Sequence, residues 1–429
     1  MANAPLRRPT SASVRGGRPR PRADRGTGAP RPGDPYGLIP PGTPVAPILA
    51  TVGLLLVGVM TLNLLNGQLP FVTGGDGDGP GGGPATTPAP SNVVPVPTED
   101  PLTRTAGTIV YAKAGNVWIQ QSGRATQLTD GGTDSMPSIS PDGAWVYFVR
   151  SRAENGRWVV QGRERIYQLS IPTLMRVSIE GGEPGTILDG RLRDGTRTWA
   201  AWIRQPVVRS DGRIIAIASD LPNPERSNVT LKLFDLETDE LTALDVPEVV
   251  PLGHQDPEWR PDGAILAYVK NDRQGATGRP ELWTYTLETQ RSRALTGPGY
   301  LAPSYSRDGR WIAATKTSAF GTDVVILEAR TGNEVARLTT DGRSWSPVWS
   351  PAGDGIAFLR SSGQVVDLWL LPLSGSAGRW EVGEPVPLTD AAGLDGASRP
   401  DWFIPESELP PLPTPRPSAS AVASPSAAP

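Results

Sequence analysis

The sequence predicts an all-β protein, a six-bladed β-propeller closed by pairing of its N- and C-terminal strands and preceded by one transmembrane helix. Three observations predict it. A proline-led phrase ending in an Asp-Gly turn recurs at a spacing near 50 residues, the repeat region begins and ends with complementary parts of one repeat, and an uncharged stretch of 21 residues stands ahead of it.

The copies overlay in register. Pro137-Ser138-Ile139-Ser140-Pro141-Asp142-Gly143 runs into Trp145-Val146-Tyr147-Phe148, and Pro206-Val207-Val208-Arg209-Ser210-Asp211-Gly212 into Ile214-Ile215-Ala216-Ile217. Further copies occupy 257–263, 303–309 and 347–353, and Pro400-Asp401-Trp402 opens a sixth. Successive prolines lie 69, 51, 46, 44 and 53 residues apart, a period that with short strands describes propeller blades rather than a helical solenoid. Each Asp-Gly supplies a carboxylate for the local backbone and a residue that tolerates positive φ. A later strand places its Trp alike in Asn116-Val117-Trp118, Glu281-Leu282-Trp283 and Asp367-Leu368-Trp369, and a last strand exits on Leu-Thr at 128–129, 295–296, 338–339 and 388–389. Four strands per period make one blade.

The first period starts in its second strand, Thr108-Ile109-Val110-Tyr111-Ala112, whereas the last copy supplies only an inner strand near Pro400. Joined, the two halves give a sixth blade and remove sheet edges that invite aggregation. The propeller is expected over residues 107–404. With Pro-x-Trp-Ser-Pro-Asp-Gly-x-x-Ile-Ala-Tyr, Leu-Trp-x-x-x-Leu and the Leu-Thr exit, the region resembles the TolB-like six-bladed propellers, residues 257–268 being the nearest copy. The resemblance covers about 300 residues. It implies the fold; such propellers serve as partner-binding modules, peptidase gates and enzymes. The family's best known member works through an added N-terminal α/β domain, which residues 1–106 do not resemble, so only partner binding is carried over.

Residues 1–44 carry eight Arg, no Lys and no Glu amid Pro, Gly and Ser, a composition that buries too little apolar surface to order itself; a disordered cytoplasmic arm is expected. Residues 45–65 hold no charge, and at about 1.5 Å per residue they cross a hydrocarbon core of roughly 30 Å. No small-x-small site follows at Asn66-Gly67-Gln68-Leu69-Pro70, so an uncleaved anchor is expected rather than a signal peptide. The arginines hold their flank inside and place the propeller on the outer side of a bacterial cell membrane. Residues 66–106, rich in Gly and Pro, read as a flexible linker reaching on the order of 35 Å, and 405–429 as a disordered Pro/Ser/Ala-rich tail. With no Cys in the chain, no disulfide staples the exported domain.

Net charge is −3 overall, and about −9 beyond residue 44, which excludes a polycationic nucleic-acid binder. His254 is the only histidine, so a His-based metal site or a Ser-His-Asp triad would have to use it. No Gly-x-Ser-x-Gly occurs, and no cofactor motif is found. The Asp-Gly carboxylates recur because turns need them; the 129–134 loop, Thr-Asp-Gly-Gly-Thr-Asp, is a candidate Ca²⁺ loop.

In a meander blade the loop into the inner strand and the loop between the second and third strands share one face, the Asp-Gly turns the other. The insertions at 151–173, 191–205 and 220–228 all fall on the first, and long loops on a rigid scaffold carry binding. Residues just ahead of the prolines are expected to ring the channel mouth there: Asp134, Arg204, His254, Asp256, Tyr300, Trp345 and Arg399 among them. Repeat-locked tryptophans pack between blades, whereas Trp199, Trp202 and Trp345 break the register on this face. Aromatic and Arg residues dominate hot spots. The function expected is therefore non-catalytic binding or sensing of a protein or peptide of the cell envelope. The alternative is an envelope hydrolase or lactonase using a metal at the channel mouth, which predicts a metal-dependent thermal shift and loss of activity on Asp134→Ala or Asp256→Ala.

Overall fold

The computed structural model describes residues 105–412 except 225–227, 248–252, 272–278 and 377–378. The expected arm, anchor and linker up to residue 104 lie outside the described residues. Within them no helix is long and apolar enough to cross a membrane.

Six antiparallel sheets form the six blades. Their inner strands are Asp134–Ile139, Ile203–Val208, His254–Trp259, Tyr300–Tyr305, Ser344–Trp349 and Asp401–Phe403. In the last sheet Asp401–Phe403 lies beside Thr108–Lys113, followed by Asn116–Gln121 and Arg124–Gln127; the register sets Thr108 against Phe403 and Val110 against Asp401. Strands from the two ends of the described chain therefore share one sheet.

Repeat chemistry explains the repeat sequence. In the first turn Asp142 Oδ1 accepts the Ala144 N–H at 3.0 Å, and Gly143 takes φ +73 with the Phe403 ring where a Cβ would stand. The Leu-Thr exit recurs because its hydroxyl accepts a backbone N–H from the third strand: Val117 to Thr129 at 2.9 Å, Leu282 to Thr296 at 3.1 Å, Val324 to Thr339 and Leu368 to Thr389 at 2.9 Å.

The core is six wedges between neighbouring blades rather than one centre. Trp259 packs with Ala216 and Leu231 of the preceding blade and Tyr268 of its own; Trp349 and Trp402 repeat the arrangement at later interfaces. All three are buried, and Trp259 Nε1 donates to the Val207 carbonyl of the neighbouring blade at 3.2 Å. Period-2 strands leave one apolar face toward each neighbour, and an indole is large enough to fill the widening gap.

Two features depart from expectation. The 151–173 insertion is a hairpin arm, not a loop: Trp145–Val160 and Arg163–Ser178 pair without interruption from Trp145–Ser178 to Val160–Arg163. Gln161 and Gly162 turn the tip at φ +51 and +73, as a two-residue hairpin loop requires. A second hairpin, Arg191–Asp194 with Arg197–Ala200, packs on the arm, where the Tyr167 hydroxyl donates to the Thr198 carbonyl at 2.5 Å. Residues 405–412, expected in the tail, run across the Asp-Gly face. Leu409 packs on the wedge between the last two blades, and Arg307 donates to Glu406 at 2.5 Å and to the Pro410 carbonyl at 2.6 Å.

Candidate functional site

Every complete inner strand carries a bulge at its proline, and the residue ahead of that proline takes a left-handed conformation: Met136, Gln205, Asp256, Ala302 and Ser346, at φ between +46 and +54. The extra residue turns its N–H out of the ladder toward the preceding blade. Met136 N–H donates to Ser398 Oγ at 2.9 Å, Gln205 N–H to Met136 Sδ at 3.3 Å, Asp256 N–H to Gln205 Oε1 at 2.9 Å and Ala302 N–H to Asp256 Oδ2 at 3.2 Å. These contacts form a belt joining blade to blade, and Asp256, expected to recognise a ligand, is part of it. Gln205 Nε2 also donates to Asp256 Oδ1.

A second belt, made by the residues after the prolines, lies deeper. Ile139 N–H donates to Asp401 Oδ2 at 2.8 Å, Tyr305 N–H to Glu258 Oε1 at 3.4 Å and Trp349 N–H to Ser304 Oγ at 3.2 Å. Arg399, from the sixth blade, crosses the channel: Nη2 meets Glu258 Oε2 of the opposite blade at 2.8 Å, and Nη1 donates to the Pro303 carbonyl of the blade after it at 2.5 Å. Toward the Asp-Gly face the channel widens to a cavity of about 200 Å³ lined by Ser138, Ser140, Ser210, Glu258, Asp401 and Trp402, among others. Burial pushes Glu258 up to about 7 despite the Arg399 guanidinium beside it, the Asp401 carboxylate adding to the rise. Burial likewise raises Asp256. For Arg399 burial works against the charge, but Glu258, Asp256 and Asp401 outweigh it and its pKa is raised.

Several residues expected on the rim sit elsewhere. Asp134 is 2% exposed, with both oxygens held by Arg150 at 2.6 and 2.8 Å; the same pairing removes it from the candidate Ca²⁺ loop. His254 is 1% exposed, its Nε2 2.9 Å from the Pro247 carbonyl and its ring edge-on to Tyr268. Burial lowers its pKa to about 4. Both begin an inner strand, and that first side chain points between blades, where Ile203 and Ser344 are equally buried. As the sole imidazole, His254 is expected to titrate by NMR near pH 4, with stability lost as pH falls from about 6.5 through that value; titration near 6.5 would place it in solvent.

Tyr300 donates its hydroxyl to Glu334 at 3.1 Å beneath Lys316, and Trp345 Nε1 donates to the Gly396 carbonyl at 2.8 Å. Trp199 stacks on Arg197, the guanidinium 3.2 Å from its ring centre. The structure does bring together Trp202, 44% exposed, with Arg204 5.7 Å from its ring. Reading the sequence missed Glu258 and Asp401, although carboxylates stand there where other repeats carry Ser or Val. It also missed Phe320, 93% exposed in the turn between Trp311–Ser318 and Gly321–Glu328 on the same face as Trp202. Among the described residues no three His, Cys, Asp or Glu side chains gather as a metal site would need.

No known protein-family profile matches the chain. It is 28% identical over 158 residues to an uncharacterized protein of Agrobacterium fabrum, covering 35% of this chain and 44% of that one. It is 29% identical over 133 residues to the uncharacterized peptidase YuxL of Bacillus subtilis, covering 29% and 19%. The chain thus spans less than half the length of either relative. Among solved structures, TolB from Acinetobacter baumannii superposes with a TM-score of 0.50 at 17% identity, over 69% of this chain and 66% of that one. A protein described as TolB from Agrobacterium tumefaciens gives 0.49 at 17% identity, over 70% and 94%. The first of these likenesses shows the fold, an all-β six-bladed propeller of the architecture TolB has.

Proposed function

We propose that the chain is a non-catalytic binding propeller, tethered through residues 45–65 to the outer side of the bacterial cytoplasmic membrane, that captures a protein or peptide of the cell envelope. The partner sits on the face that carries the arm. One observation carries this reading: large apolar side chains are left exposed there, Trp202 at 44% and Phe320 at 93%, on a rigid ring. The described chain ends meet on the opposite face, where Thr108 pairs with Phe403 and Trp402 Nε1 donates to the Ala106 carbonyl at 2.9 Å. Asp134 and Asp256 are engaged by Arg150 and Gln205, which favours binding over metal-assisted hydrolysis at the mouth.

Capture of partners by the full chain from solubilised envelopes tests this. Trp202→Ala with Phe320→Ala is expected to cut recovery of the principal partner at least about tenfold, as hot-spot truncation does; undiminished recovery would overturn the assignment of the face.

A further inference from the structure

The arm ends in arginines that no carboxylate answers. Arg152, Arg157 and Arg191 pair with Asp189, Glu164 and Glu154, whereas among the described residues Arg163, Arg165, Arg193 and Arg197 form no ion pair. The first three are exposed. The Arg197 guanidinium lies 3.2 Å from the ring centre of Trp199 and 4.2 Å from that of Trp158, and its buried Nε has no hydrogen-bond partner. Asp194 faces Arg197 in the register without pairing to it. Arg165 stands directly across the hairpin from Trp158, on the same face of the arm as the indole that Arg197 covers. Stacking fixes a guanidinium plane and leaves its edge donors for a carboxylate.

The two faces of the arm differ. Trp158, Arg163 and Arg165 share one, while Val159, 43% exposed, and Ile166, 63% exposed, share the other. Beyond Arg150 and Thr173 no described strand pairs with either edge of the arm, so its backbone is open to strand addition.

We propose, building on the binding role above, that the arm is a docking strand for an extended peptide segment of the partner in which acidic and apolar residues alternate. Side chains of an added strand point alternately to the two faces. Its carboxylates then reach Arg165 and Arg197 while its apolar residues cover Val159 and Ile166. A phosphate polymer presents neither that alternation nor a peptide backbone to the open edge.

The test uses the full chain and three labelled probes in fluorescence anisotropy: a short synthetic peptide alternating Glu and Val, its Lys-Val counterpart, and polyphosphate. The Glu-Val peptide is expected to bind and the Lys-Val peptide not. Arg165→Glu and Ile166→Asp, both exposed positions whose folding is checked by circular dichroism, are each expected to weaken it roughly tenfold or more. Equal affinity in either variant, no binding of the Glu-Val peptide, or tighter binding of polyphosphate would overturn the proposal. Should the peptide fail while partner capture still depends on Trp202 and Phe320, the docking strand alone falls and the binding face stands.

Discussion

Replacing Arg399 with Met is expected to destabilise the propeller at pH 8 by up to about 3–5 kcal/mol, the cost of stranding one partner of a fully buried ion pair, this pair being largely buried, and by clearly less at pH 5. The difference lies in Glu258. Its folded pKa is raised to about 7 from 4.5, so the native state binds more protons than the unfolded chain between those values. Stability is then present in full below about 4.5 and lost as pH rises through 7. The span corresponds to about 3 kcal/mol at about 1.4 kcal/mol per pH unit. Glu258→Gln is expected to abolish this loss, and Arg399→Met to carry it to higher pH, because the carboxylate then lacks its counter-charge. His254 slopes the other way below pH 6.5, so each variant is compared with its parent at the same pH in urea unfolding. A Glu258→Gln protein that loses stability toward pH 8 as steeply as its parent would show that this carboxylate is not held across the channel.

The second large effect concerns the sheet shared by the two ends. Trp402 and Ile404 are 7% and 3% exposed in the wedge between the last two blades, and Asp401 holds the Ile139 N–H of the first blade. Trp402→Ala is expected to cost about 3–5 kcal/mol by cavity formation, lowering the melting temperature by roughly 10 °C at about 2–4 °C per kcal/mol. Loss of the whole strand adds the burial of Ile404 and bares the edge of Thr108–Lys113, a template for aggregation. Summed, this reaches the total stability of an ordinary domain, about 5–15 kcal/mol.

The blades were legible because their signals are local and repeat: the Asp-Gly turn, the Thr that accepts a third-strand N–H, the Trp at each wedge. One copy would have been weak; five in register are not. The site was less legible because a bulge turns the residue ahead of each proline out of the ladder and the first residue of an inner strand can be buried, and neither leaves much trace in composition. Asp256 became part of a belt with Gln205, His254 a buried ring, and Asp134 half of an ion pair within its blade. Ile203, apolar where its equivalents are Asp134 and His254, was the available hint that this column is buried. The arm could be read from Gln161-Gly162 between alternating strands. That Arg197 would lie between Trp158 and Trp199 could not, since two hairpins distant in sequence must first meet.

Differential scanning calorimetry of the chain truncated ahead of Ser398, beside the intact chain, tests most directly whether one strand from the far end of the sequence seals the ring. The expected result is loss of the cooperative transition, or its fall by more than roughly 10 °C, with aggregation. A transition unchanged in temperature and enthalpy would contradict it.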